Sequence, residues 1–226
     1  MAVETRRYRF ANEDGTPYHR SHDRCAEDEL LDWLGPSLYV LDSGQPRKIE
    51  TWNPTTMRRL AAQCAEHVLL CFEAEYPEDE RPGLAVSVGY RRVNQLASQG
   101  AMAAHGTART DAKAMERRRV ETLGMDVTKV HPSMYSAYCV KEAAAQAALA
   151  AAIAARTESA GALRACLKAC ESAAEHYSQR EDNVPIAEIG AAKIRTANRG
   201  RVGRAAVAAE RAFQRERLWE LIRADV

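Results

Sequence analysis

The chain is poor in aromatic residues, at 6% of its 226 positions, and poor in lysine, which arginine outnumbers 26 to 6. It has almost no net charge, since 32 basic residues stand against 31 acidic ones. A dedicated nucleic-acid binder carries a basic excess, so that class is disfavoured. Long apolar runs are missing. The longest small-apolar stretch, residues 143–155, is mostly alanine and includes Gln146, which is too short and too weakly apolar for a bilayer. The opening MAVETRRYRF has no apolar h-region, so no signal peptide is expected and a cytoplasmic location is the default. Phosphate-cradling glycine loops and Gly-x-Ser-x-Gly elbows are also missing; Gly100, Gly106 and Gly200-x-x-Gly203 match neither. The sequence therefore leans away from an enzyme and implies no cofactor.

None of the six cysteines forms a Cys-x-x-Cys pair. Cys166 and Cys170 are four apart and Cys64 and Cys71 seven apart, which are same-face helix spacings. A zinc site built from Cys166, Cys170 and His176 lacks a second ligand pair. Small core residues, reduced thiols and no metal are the expectation.

What the chain does have is alanine and arginine, both strong helix formers. The expected fold class is all-α: an antiparallel multi-helix array over residues 53–226, with a small N-terminal mixed α/β element over 1–52. In that element a turn is expected at 12–15, a short helix at 26–34 and a strand at 38–41, between glycine-containing turns. Asn53 before Pro54 marks a helix start. Met57, Leu60, Ala61, Cys64, Val68, Leu69 and Phe72 then repeat at helical spacing, ending near the Tyr76-Pro77 step.

A second helix is expected from Arg81-Pro82 to about Ser98, with Leu84, Val88 and Leu96 facing inward. Gly100 punctuates. A third helix runs over 101–123 on a stripe of Ala104, Ala108, Ala112, Met115 and Val120, with Gly124 as its C-cap. Pro132 opens a helix through the alanine run. Another starts near Ser159 with Leu163, Cys166, Leu167 and Cys170 inward. Pro185 starts one to about 197, and the glycines at 200 and 203 signal a break or kink before a last helix to about 223. Alanine lets helix axes approach closely, so 143–155 is expected to be buried on more than one side, centrally or at a homodimer contact.

Cys64-Ala65-Glu66-His67-Val68-Leu69, then Phe72-Glu73, then Tyr76-Pro77-Glu78-Asp79-Glu80-Arg81-Pro82 is similar to a motif of bacterial polymorphic toxin systems: that of the immunity protein family with an immunity-five-like helical domain. Ala103-Ala104-His105 with Ala108-Arg109, and Glu210-Arg211-Ala212-Phe213-Gln214 with Leu218, are similar to its later motifs. After Pro82 the family carries Ala-Ile-Glu, where this chain has Ala85-Val86-Ser87. The resemblance implies a protein-binding module that neutralises a cognate toxin or an analogous factor in bacterial or phage conflict, without catalytic residues. It singles out Glu66, His67, Glu73, Asp79, Arg81, His105 and Arg109.

Glu66 and Glu73 share a helix face two turns apart. Glu73 is expected to meet Arg81 or Arg109. These polar residues form either a structural network, with Asp79 capping the helix that Pro82 enters, or a pocket that binds or modifies a small molecule. The clusters at 117–119 and at Arg195, Arg199, Arg201 and Arg204 leave nucleic acid as a third alternative.

Overall fold

Local capping chemistry and small side chains decide this architecture. The computed structural model describes residues 10–11, 31, 37–42, 45–125, 132–156, 159–181 and 189–223. Among them three strands and six helices follow in order: β1 (Phe10–Ala11), β2 (Tyr39–Asp42), β3 (Gln45–Lys48), α1 (Pro54–Glu73), α2 (Arg81–Gly89), α3 (Gln95–Met125), α4 (Pro132–Ala154), α5 (Ser159–Glu181) and α6 (Ile189–Ile222). The all-α class with a small N-terminal sheet is as the sequence implies. The expected turn at 12–15 and the helix at 26–34 lie outside the described residues, except Leu31, which is helical and buried.

The sheet is antiparallel in the order β1-β2-β3, with Phe10 opposite Val40 and Tyr39 opposite Lys48. Strand β2 is the expected one. Strand β3 was not foreseen, because Gln45-Pro46-Arg47-Lys48 has no apolar alternation and contains proline. At a sheet edge the missing proline N–H costs no ladder bond, and the charged residues blunt further pairing. Leu31, Leu38, Val40, Ile49 and Trp52 are buried in one core with Leu60, Phe72 and the alanines of α4. The N-terminal element therefore lies on the helical body.

Helix α1 starts where its cap dictates. Asn53 is extended, and its Oδ1 accepts from the N–H groups of Thr55 at 2.9 Å and Thr56 at 3.1 Å. The stripe Leu60, Ala61, Cys64, Val68, Leu69 and Phe72 is buried, as its spacing implies.

The α2–α3 boundary differs from expectation. Helix α2 stops at Gly89, and α3 starts after Asn94, whose Oδ1 accepts from Ala97 N–H at 2.9 Å. Gly100 lies inside α3. The same linker closes the end of α4: Asn94 N–H donates to Ala155 O at 2.9 Å and Ser98 Oγ to Ala152 O at 2.7 Å. These bonds satisfy carbonyls that a helix C-terminus leaves without partners. Arg58, 7% exposed, does the same for α2, its Nε donating to Gly89 O at 3.0 Å.

Helix α4 is the central element, packed against α1, α2, α3 and α5. Ala148 and Ala152 are fully buried, with Ala144, Ala145, Ala147, Ala150, Ala151, Ala154 and Ala155. The alanine run is thus covered within one chain. Close packing on it also inverts the usual size rule for its neighbours. Helix α2 turns Pro82, Ala85, Val86 and Gly89 inward, and α3 turns Ala97, Ala101, Ala104, Ala108 and Ala112 inward. Leu84, Leu96 and Val120, expected inside, are 58%, 79% and 54% exposed.

Helix α6 runs unbroken through Gly200 and Gly203 and packs on α5 and α1. A glycine inside a helix costs about 1 kcal/mol relative to alanine, which flanking helix formers and tertiary packing outweigh. Pro185 lies outside the described residues. No helix among the described residues is long and apolar enough to cross a membrane.

Candidate functional site

The seven residues singled out by the sequence are not one pocket; they are dealt out to separate helix contacts. Glu66 is exposed on α1 and accepts a hydrogen bond from the Tyr90 hydroxyl, just beyond α2. Burial, then this carboxylate, push the Tyr90 hydroxyl above its ordinary range. Asp79 and Arg81 pair within the α1–α2 turn: Arg81 Nε and Nη2 reach the Asp79 oxygens at 2.7 and 2.6 Å, and Arg81 N–H reaches Oδ1 at 3.2 Å. The guanidinium holds the Asp79 carboxyl below its usual value. The N-cap position of α2 is nevertheless Glu80, which has no side-chain capping bond, so Asp79 holds the turn ahead of the helix and is not its N-cap.

His105 and Arg109 lie one turn apart on α3 and face α4. His105 Nδ1 is 2.8 Å from Ala145 O. A carbonyl only accepts, so the proton sits on Nδ1. Arg109 Nη1 bonds both oxygens of Glu142, which also accepts from Gln146 Nε2 at 2.9 Å. Nearby, Tyr76 Oη donates to Asp111 at 2.7 Å, and Lys141 pairs with Glu75 at 2.8 Å while lying 4.4 Å from the Tyr76 ring centroid. This group clamps the end of α1 to α3 and α4.

The expected Glu73 ion pair is not formed. Arg81 turns to Asp79, two residues away, and Arg109 turns to Glu142 across the α3–α4 contact. Both bases are thus taken, Arg81 within its own turn and Arg109 across a helix contact. Glu73 is exposed and makes no ion pair among the described residues.

His67 has the most distinctive surroundings. Its Nδ1 is 2.7 Å from Oε2 of Glu210 on α6, and the two side chains are 46% and 0% exposed. A carboxylate with no solvent contact needs donors on its oxygens. Glu210 Oε1 accepts from Gln214 Nε2 at 3.0 Å, and Cys170 Sγ lies 3.7 Å from Oε2. Gln214 is itself fully buried and donates to Leu163 O at 3.2 Å. Phe213 stacks on the His67 ring with centroids 4.0 Å apart, and Arg217 lies over the Phe213 ring.

Four free thiols sit around this centre, Cys64 and Cys71 on α1 and Cys166 and Cys170 on α5, as their spacing implies. Burial pushes Cys64, Cys71, Cys166 and Cys170 above the ordinary thiol range, with Glu210 adding to each. Among the described residues no three His, Cys, Asp or Glu side chains are arranged to hold a metal ion. The side chain of His176 lies outside the described residues. Glu210, Phe213 and Gln214 were visible in the sequence only as a terminal motif; their i, i+3 and i+4 spacing on one helix face was the available signal.

An open cavity of about 770 Å³ lies at the α1–α2 turn, lined by Tyr76, Pro77, Glu78, Asp79, Glu80, Arg81 and Leu84. Asp79 is neutralised by Arg81, and Glu75 just outside by Lys141. Glu78 and Glu80 are exposed and unpaired among the described residues, as is Glu73 close by. The turn is therefore net acidic beside an exposed leucine. Comparison with family models, with curated proteins and with solved structures gives no significant match.

Proposed function

We propose that this chain is a non-enzymatic protein-binding module, an immunity-type protein that neutralises a toxin or analogous factor in bacterial or phage conflict. Its partner is a protein with a basic, partly apolar binding segment, and its location is the cytoplasm. The observation that carries this reading is the turn cavity, where uncompensated Glu78 and Glu80 flank Leu84, which is 58% exposed. Acidic groups steer and select a basic partner, and an exposed apolar side chain gives it an anchor. The segment that resembles the immunity family, residues 64–82, supports the reading from another side. Cys64, Ala65, Val68, Leu69 and Phe72 face the core, while Glu66, Glu73, Glu78 and Glu80 remain exposed.

The pocket alternative loses its warrant, because Glu66, Glu73, His105 and Arg109 do not converge. The nucleic-acid alternative rests on Arg195, Arg199 and Arg201, whose side chains lie outside the described residues, on the exposed Arg204, and on 117–119, where Arg119 is bound to Glu116. The test uses a Glu78→Lys, Glu80→Lys, Leu84→Asp triple variant. It is expected to keep the parent's circular dichroism and melting temperature and to bind the parent's partner at least about tenfold more weakly. Parent binding is expected to weaken as salt screens the acids. A folded triple variant that binds as the parent does overturns the assignment of this face.

A further inference from the structure

We infer that His67 is a phosphoryl-acceptor histidine, with Nε2 as the nucleophile and Glu210 as the fixed counter-charge. This goes beyond the proposed docking face and does not depend on it. The ring is held from two sides, by the 2.7 Å bond from Nδ1 to Glu210 and by the stack on Phe213 at 4.0 Å. Glu210 already accepts from Gln214, and its position is set in turn by the Gln214 bond to Leu163 O. In the neutral ring, Nδ1 carries the proton towards the carboxylate and Nε2 keeps its own lone pair. Nε2 takes no hydrogen bond from the described residues, and the side chain is 46% exposed. Glu66, the neighbouring acid, is engaged by Tyr90, on the α2 side.

The chemistry selects both the nucleophile and the electrophile. Burial keeps the Cys71 and Cys170 thiols protonated, so the imidazole is the competent nucleophile of the group. Acyl transfer needs donors for an oxyanion. His67 sits in mid-helix, where backbone N–H groups are already bonded to carbonyls one turn back. Phosphoryl transfer has a loose transition state and asks mainly for a positioned nucleophile and charge compensation.

The donor is a small phosphoryl compound with a good leaving group, such as a phosphoramidate. The Nε2 lone pair forms the N–P bond while the donor's P–N bond breaks and ammonia departs with that electron pair. The ring keeps its Nδ1 proton and becomes cationic, the phosphoryl group carries two negative charges, and the total charge of minus one is unchanged. Glu210 faces the positive charge as it develops.

The test incubates the full chain with potassium phosphoramidate at neutral pH, folded and in urea, then digests it with trypsin under alkaline conditions. His67 is the single histidine of the tryptic peptide 60–91. The expected result is modification of this peptide on the order of tenfold faster in the folded protein than in the unfolded one, which mere exposure cannot produce. Glu210→Gln, which keeps an oxygen towards His67 and removes the charge, is expected to abolish that acceleration while the circular dichroism is retained. Should Glu210→Gln unfold, the folded-to-unfolded ratio of the parent decides alone. A ratio of one or less, or a folded Glu210→Gln protein as fast as the parent, overturns the inference.

Discussion

Gly89 and Gly100 look alike in the sequence, and the structure predicts opposite outcomes for the same substitution. A Cβ at Gly100 would lie 3.8 Å from the Arg81 side chain, an ordinary contact with a flexible stem. Alanine is favoured over glycine in a helix interior by about 1 kcal/mol, so Gly100→Ala should stabilise by about 0.5–1 kcal/mol. A Cβ at Gly89 would stand 3.0 Å from Ala154 O and 3.3 Å from Ala154 C, which are backbone atoms of the central helix. Gly89 is also fixed from the other side, since its carbonyl receives the buried Arg58 Nε at 3.0 Å. Neither side can yield cheaply.

Overpacking of this kind costs about 1–3 kcal/mol, which exceeds the helix-propensity gain at the upper end and offsets it at the lower. Gly89→Ala should therefore destabilise by up to about 2 kcal/mol. Urea unfolding followed by far-UV circular dichroism measures both, with midpoints moving in opposite directions and slopes unchanged. A Gly89→Ala protein stabilised as much as Gly100→Ala would refute the close α2–α4 approach. A destabilised Gly100→Ala would refute the placement of Gly100 inside a helix with room beside it.

Arg58→Met keeps the buried stem and removes both donors from the α2 C-terminus; a loss of about 2–3 kcal/mol is expected in the same urea assay. Cys64 and Cys166, whose thiols burial pushes far up, should resist alkylation in the native protein at about pH 8 and react at once in denaturant. Asp79→Asn should cost no more than about 1 kcal/mol, because Arg81 is largely exposed and solvent screens the pair. The folded Asp79 carboxyl is held below its unfolded value, so its contribution is present above about pH 4 and fades as pH falls further. The deficit of Asp79→Asn against the parent should accordingly shrink on acidification, as read by melting temperature across that range.

The parts of the fold legible in the sequence are those written locally. Asn53-Pro54 with its apolar stripe fixes α1, and the alanine run marks the central helix. The α2–α3 boundary was misplaced because glycine has two meanings, whereas Asn94, a side chain able to cap Ala97, has a narrower one. The burial register of α2 and α3 was misread for a different reason. Leucine normally faces the core, but the close approach to the α4 alanines favours smaller residues such as Ala85, Val86 and Gly89 opposite, so Leu84 and Leu96 are displaced outward. That displacement is a tertiary effect, and no window along α2 or α3 contains it.

The candidate sites follow the same division. Asp79 with Arg81 is a pair two residues apart and could be read directly, whereas Arg109 with Glu142 joins positions 33 apart that only the α3–α4 packing brings together. His67 and Glu210 are 143 positions apart. Yet both belong to the segments that carry the family resemblance: His67 to the opening Cys-Ala-Glu-His run, and Glu210, Phe213 and Gln214 to the terminal one. Those two segments meet where α6 lies on α1: the histidine of the first is bonded to the acid of the second and stacked on its phenylalanine. The sequence supplied both halves of this centre without the distance between them. A carboxylate with no solvent contact is tolerable only if its donors arrive together. His67, Gln214 and Cys170 come from α1, α6 and α5, so the polar centre forms only when all three helices have docked. This ties the last helix to the first more specifically than apolar packing alone would, and it leaves the His67 side chain 46% exposed.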